Sequence, residues 1–349
     1  MAAVVLAAPA AATAQTAAAQ TAAAPAPPPI RIGATIFADY SVIDSPKGTD
    51  GAGREITRNA FSVTRTYINV TGSVTSRLSF RITPDITRAS DSSLAGSQVF
   101  RLKYAYLNLS LPHGTSMRMG MQQTPLIDGQ ESVYRYRFQG TSFVERDGGL
   151  ASSDVGLTVR KTFGRHADAH VGIYNGEGYS KPEVNGEKAL MARVTLRPAP
   201  DHEVAKGLRL IGYIHRDEVL NGAPRNRAAL SAMFEHARFN AGVDYIRRTD
   251  QASLTAARTT GQGWSVFVTP FLDEKGRGVE GLFRLDHFTP NTAADASWRR
   301  LIAGAAYWFP RQGSASAALL ANLEQVTYSN FTTARPTDRK IGLYALINF

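Results

Sequence analysis

From Ile30 to the final residue the chain repeats one pattern: short segments in which apolar and polar residues alternate with a period of two. Sixteen such segments can be traced, at about 30–40, 59–70, 73–87, 100–111, 115–122, 153–162, 167–175, 188–197, 208–216, 227–236, 238–248, 262–269, 278–289, 299–309, 314–328 and 339–349. That period is the signature of β-strands with two different faces. Val74, Leu78, Phe80 and Ile82 oppose Thr75, Arg77, Ser79, Arg81 and Thr83, and Leu190, Ala192, Val194 and Leu196 oppose Met191, Arg193, Thr195 and Arg197. The last ten residues set Ile341, Leu343, Ala345, Ile347 and Phe349 against Lys340, Gly342, Tyr344, Leu346 and Asn348, and the sequence stops on an aromatic residue. Alternation slips near Arg65 and near Ala105, where a β-bulge would restore it.

The connections sort by length. Those at Thr71–Gly72, Pro112–Gly114, Ala237 and Pro310–Gly313 are short, and those at 161–166, 198–207 and 270–277 are somewhat longer. The intervening ones, at 41–58, 88–99, 123–152, 176–187, 217–226, 249–261 and 329–338, are mostly longer and polar. A soluble sandwich or propeller has no reason to segregate loop lengths, whereas an up-and-down membrane barrel does. In lipid every backbone N–H and C=O must be paired, so a sheet can span only by closing on itself. The expectation is therefore an all-β, antiparallel, transmembrane up-and-down β-barrel of about sixteen strands, with apolar residues on lipid and a lumen too polar to be a packed core. No run of about 18 apolar residues occurs, and the mean hydropathy of −0.20 suits strands that hide their apolar residues in alternation. The terminal strand resembles those by which outer-membrane barrels address the barrel-assembly machinery, so Phe349 is expected to carry that signal.

Residues 2–14 are Ala/Val/Leu-rich, and Ala12-Thr13-Ala14 offers a small-residue cleavage site. Residues 1–14 are expected to be the later part of a signal peptide, since no Lys or Arg precedes the apolar run; a disordered Ala-rich tail is the alternative. Residues 15–29 turn Pro-rich and read as a linker, which leaves 30–349 for the barrel. There is no cysteine, hence no disulfide and no thiolate metal site, and nothing in the sequence calls for a cofactor.

The longest connection, Thr124–Leu150, follows the fifth segment and interleaves Arg135 and Arg137 with Tyr134, Tyr136 and Phe138; Arg146 comes later. Folded inward as a third loop, it would form an eyelet where guanidinium groups select anions. The alternative is a solvated loop whose arginines pair with its own Asp128, Glu131, Glu145 and Asp147. Inward positions on the third to fifth strands add Arg77, Arg81, Arg101, Lys103 and Arg118; Arg193, Arg197 and Arg284 follow later. Inward acids are Asp39, Asp154, Asp168, Asp244, Glu280, Asp286 and Glu324. The net charge of +10 tilts this wall toward anions, although a mixed-charge wall that only supports the barrel would look similar.

The runs FSVTRTYINVTG (61–72), LSFRITPD (78–85), AYLNL (105–109), GMQQTPL (120–126), ERDGGL (145–150), SDVGL (153–157), YNGEG (174–178) and ARVTLRP (192–198) resemble the phosphate-selective porin O and P family. The resemblance covers most of 55–349 and is strongest to about residue 200. It implies a trimeric outer-membrane channel for anions. Phosphate-selective members use ladders of Arg and Lys-rich approaches; this chain has 31 Arg but 8 Lys, with no Lys cluster in any loop. General or anion-preferring diffusion of small hydrophilic solutes is the reading these residues carry.

Two other classes compete. A barrel hydrolase needs a nucleophile–base constellation; His170 shares a face with Asp168 and His215 lies near Asp217, but neither has a recognisable Ser motif. A non-conducting structural barrel would show the same strands. Nucleic-acid binding, which the net charge of +10 would suggest, is disfavoured because the basic residues are dispersed through alternating strands with no clustered face to be identified.

Overall fold

The computed structural model describes residues 30–89, 92–94 and 96–349; the expected leader and linker lie outside the described residues. The strands are β1 Arg31–Thr49, β2 Glu55–Ser73, β3 Leu78–Arg88, β4 Gln98–Leu111, β5 Thr115–Gln123, β6 Ser153–Phe163, β7 Ala167–Tyr174, β8 Ala189–Leu196, β9 Leu208–Arg216, β10 Glu218–Leu220, β11 Ala223–Glu235, β12 Phe239–Asp250, β13 Thr259–Pro270, β14 Gly278–Thr289, β15 Ser297–Trp308, β16 Ser316–Ser329 and β17 Asp338–Asn348. Each wall strand pairs antiparallel with its sequence neighbour, and β17 returns to β1. β10 is a short arm on β11, while β9 pairs directly with β11, so the closed barrel has sixteen strands. Two short helices, α1 (Pro125–Glu131) and α2 (Phe143–Arg146), sit in the third loop inside it.

The period of two decides which residues face lipid. Val243, Val266, Leu285 and Leu301 are register neighbours across β12–β15, and all four are exposed on the outer surface. Their chain neighbours Asp244, Ser265, Asp286 and Ile302 are buried inside. Both slips in the alternation are bulges. Thr64 is the extra residue of β2 against Phe37/Ala38, and Lys103 is the extra residue of β4 against Thr83/Pro84. The second bulge matters most: it turns Lys103 and Tyr104, consecutive residues, both inward and buried.

Two expectations are corrected. The polar connection at 41–58 is mostly strand: β1 and β2 run to a tight turn at 50–54, held by Asp50, whose carboxylate accepts from the Ala52 and Arg54 backbone N–H groups. Tyr40 and Phe61 stack across this hairpin, which gives its strands a reason to continue. Nor is the lumen too polar to pack. Leu126, Ile127, Val133, Tyr134, Tyr136, Phe138, Phe143, Val144 and Leu150 of the third loop form a buried cluster with inward residues of β7–β17, among them Met191, Met233, Phe267, Phe288, Trp308 and Tyr344. Alternation marked these wall residues as inward but could not show that a loop would cover them.

Closure of the barrel ends at Phe349, whose N–H donates to Ala34 O (3.0 Å) and whose carbonyl accepts from Ala34 N–H (2.9 Å). Gly33 leaves room for that approach, since a Cβ there would lie 2.4 Å from Phe349 O. Deleting Phe349 removes this last pair; the expected outcome is a lower yield of heat-modifiable barrel in membranes. Val266→Arg should cost about 2–4 kcal/mol near the bilayer midplane, read as a lowered denaturant midpoint in lipid vesicles, while Ser265→Ala, which faces inward, should stay well below that.

Candidate functional site

The third loop begins where Thr124 closes its neck on the Ala151 and Ser152 carbonyls, and Pro125 opens α1 at a position that needs no N–H partner. Arg193 on β8 lies across α1 and donates to Pro125 O at 3.0 Å and to Asp168. Gly129 permits this, because a Cβ there would meet the guanidinium at 2.6 Å. Further along, Gln130 donates to Ser231 and Asp244, and Asn240 donates to Val133 O. Arg284, fully buried beside Asp286, donates to Thr141 O and Tyr134. Asp147 accepts from Trp298 and Arg300, and Arg146 and Gln139 donate to Glu324. The loop is thus fastened to β8–β16 by an apolar layer and by hydrogen bonds on both sides of it.

Its arginines are spoken for. Arg135 pairs with buried Glu280 at 3.0 Å and stacks on Trp308, and Tyr136 donates to the same carboxylate. Arg137 lies between Glu131 and Glu145; burial works against its charged form, but those two carboxylates more than offset it. Both arginines border a cavity of about 230 Å³ between the loop and the β1–β4 wall. Three carboxylates thus hold these two guanidinium groups, and one of them, Glu131, also lines the cavity.

The opposite side differs. Lys103 has no carboxylate partner among the described residues: its ammonium donates to Tyr67 at 3.2 Å and lies over that ring at 4.6 Å. Arg81 donates to Asn69 (2.7 Å) and Thr83 (3.0 Å) and lies 4.5 Å over Tyr104. Arg118 donates to Asn108 (2.9 Å) and Gln123 (3.2 Å) and lies 4.8 Å over Tyr106. Neutral acceptors and aromatic faces orient these cations without cancelling them. Arg81 opens into a second cavity of about 480 Å³ on the periplasmic side, which Arg31 and Arg118 also line and no carboxylate does. Above, Arg65 and Arg101 share buried Asp85 and both donate to Tyr179. Arg77 sits exposed at the periplasmic turn.

No family model matches the sequence, and no curated protein matches it either. Solved structures do match. The anion-selective porin from Comamonas acidovorans aligns with a TM-score of 0.67 at 11% identity, covering 92% of this chain and 100% of that one. The outer-membrane channel DcaP of Acinetobacter baumannii gives 0.63 at 11% identity over 93% and 99%, and Salmonella typhi OmpF in complex with daunomycin gives 0.61 at 12% over 92% and 98%. The fold is that of the outer-membrane porins. With its apolar outer belt, this porin-fold barrel is an integral outer-membrane protein.

The structure separates the candidate residues into groups. Arg81, Lys103 and Arg118 form one inward track, whereas Arg77, expected at an inward position on the third strand, lies exposed in the turn before β3. Arg101 stands above them, paired with Asp85. Arg135 and Arg137 border the constriction from the loop, each held by acid. Arg146, Arg193 and Arg284 serve as ties between loop and wall, and Arg284 lies behind the loop, away from either cavity. The supporting residues Tyr67, Asn69, Asp85, Tyr104, Asn108 and Tyr179 were not legible as site residues; the slips near Arg65 and Ala105 were the signal that two strands bend there. Of the two histidines weighed for hydrolysis, His170 is buried against Tyr174 while Asp168 is taken by Arg193 and Arg197, and His215 stands 3.7 Å from Asp217, a carboxylate that Arg225 also holds. Breaking the buried pair with Asp286→Asn should cost about 3–5 kcal/mol and should loosen the loop, seen as faster proteolysis within 134–147 of the folded barrel.

Proposed function

We propose that this barrel is a porin for passive diffusion of small hydrophilic solutes, with a preference for anions set by the wall of β3–β5 rather than by the arginines of the third loop. The observation that carries the reading is the carboxylate-free track Lys103, Arg81, Arg118. Its guanidinium groups each keep N–H donors unused by Asn69, Thr83, Asn108 or Gln123, and an anion shedding water in the constriction needs such donors. Arg stays charged across physiological pH, so the preference persists through neutral and mildly alkaline conditions. The solved structure of an anion-selective porin among those with the same fold is compatible with this.

Inorganic phosphate is the finer candidate. Its oxygens match forked guanidinium donors, and the family resemblance points the same way, while the low lysine content favours a general anion path. A trimer, implied by the same resemblance, and recognition of Phe349 by the assembly machinery complete the proposal. We read the chain as a channel rather than a hydrolase because Asp168 and Asp217, the carboxylates nearest its inward histidines, are held by arginines.

The test is the reversal potential across a planar bilayer under a KCl gradient. Replacing Lys103, Arg81 and Arg118 together with Gln should move it toward cations, because all three lie within about a Debye length, ~10 Å at 0.1 M, of the path. The paired substitution Arg135→Gln with Glu280→Gln removes one charge of each sign and should leave it nearly unchanged. A large shift in the paired variant and none in the triple variant would place the filter on the loop.

A further inference from the structure

The outer end of the cation track is closed by a residue that neither the track nor the third loop supplies. Tyr179 belongs to the external connection 175–188, between β7 and β8. Two glycines place it. Gly176 and Gly178 take positive φ, 108° and 77°, which suits glycine alone among common residues. Gly178 also passes close to the neck of the third loop, where a Cβ on it would lie 2.8 Å from the Ala151 Cβ. The stem of the connection is held: Glu177 accepts from Arg225, and Asn185 donates to the carbonyls of Glu218 and Val219. From this fixed stem Tyr179 reaches the wall of β2–β4.

There its phenol oxygen accepts from Arg65 Nη1 at 3.4 Å and from Arg101 Nη2 at 3.2 Å. Its ring lies 4.7 Å from the Arg101 guanidinium and 5.8 Å from the Lys103 ammonium. The two arginines otherwise share a single oxygen of Asp85. Asp85 is sealed, while the arginine side chains stay 28% and 27% exposed. Arg65 Nε and Nη2 and Arg101 Nη1 have no partner among the described residues. Two guanidinium groups on one carboxylate leave a positive charge over, and a neutral phenol does not balance it. Forked donors converging on one oxygen are the arrangement by which guanidinium groups hold a phosphate or a carboxylate.

We infer that Arg65 and Arg101 form an outer binding site for oxyanions, and that Tyr179 Oη is a built-in stand-in which the solute displaces. The exchange replaces hydrogen bonds to a neutral acceptor with charge-assisted ones, which are roughly twice as strong. Tyr179 thereby sets the threshold at which an anion enters the track. The inference deepens the anion-preferring reading above and rests on it.

The probes are inorganic phosphate and acetate, added separately to the purified full-length barrel with ionic strength held constant by KCl. The chain has no cysteine, so a fluorophore on Lys181→Cys, exposed and close to Tyr179 in the chain, reports release of the tyrosine alone. One or both oxyanions should shift its emission saturably, and KCl should not; the probe that acts at lower concentration identifies the solute group. In planar bilayers the same oxyanion should reduce the single-channel chloride current. The midpoint of that block should fall about three- to tenfold in Tyr179→Phe, because removing an internal competitor restores the fraction of sites it held. Arg101→Lys keeps a charge for Asp85 but loses the fork, and should raise the midpoint. Heat-modifiability should be retained in both variants. A tyrosine that only braces its loop would leave the midpoint of Tyr179→Phe unmoved; that result, or no response of the fluorophore to either oxyanion, overturns the inference. The reversal potential in the same bilayers separates the two levels: anion preference with an unmoved midpoint sinks the stand-in alone, whereas cation preference of the unaltered barrel removes the reading beneath it as well.

Discussion

The interior of this barrel depends on one packing event, the burial of the aromatic face of the third loop against the inner surface of β7–β17. Tyr134, Tyr136, Phe138 and Phe143 cannot stay in water at the middle of a pore without losing the stabilisation, about 1.5–3 kcal/mol each, that burial gives an apolar side chain. Their burial makes the lumen one-sided. The loop spreads over the wall that carries Asp244, Glu280, Asp286 and Glu324, and Gln130, Arg135 and Arg146 engage three of those carboxylates while wall residue Arg284 holds the fourth. Water is left on the side of β2–β5, where Arg65 and Arg101 share Asp85 but Lys103, Arg81 and Arg118 are held by neutral partners.

That side is built by a different rule. The bulge at Lys103 turns two neighbouring residues inward, so that an ammonium and an aromatic ring arrive together. Tyr67, Tyr104 and Tyr106 then hold Lys103, Arg81 and Arg118 by their faces. A carboxylate would fix these side chains as firmly but would cancel the field they project into the channel. Tyrosine and asparagine fix them and leave the charge standing, which suits a surface that must attract anions and then release them.

Strand number, strand faces and the inward third loop were all legible, because a period of two is imposed on every strand that separates lipid from a lumen. What alternation could not reveal is height and neighbourhood. Arg284 and Arg81 read alike, as inward arginines between apolar residues; one is sealed behind the loop on Asp286 and the other lines open space. The decisive fact, which carboxylate stands opposite which arginine, comes from shear between strands and from the path of a loop across the lumen. Asp85 shows the limit well: it follows a proline beside a bulge, where the face assignment breaks, and it gathers Arg65 and Arg101. The β1–β2 hairpin was missed because residues above the membrane no longer need apolar alternation to remain paired.

The central claim is that uncancelled charge on one wall, acting through water, sets ion preference. It is tested most directly by the ionic-strength dependence of the chloride-to-potassium permeability ratio of the unaltered barrel. As the screening length falls from ~10 Å at 0.1 M to ~3 Å at 1 M, field-based selectivity must decay. The account predicts a ratio above one at 0.1 M that falls toward the bulk value at 1 M. A ratio below one at low salt, or one that does not change with salt, would contradict it.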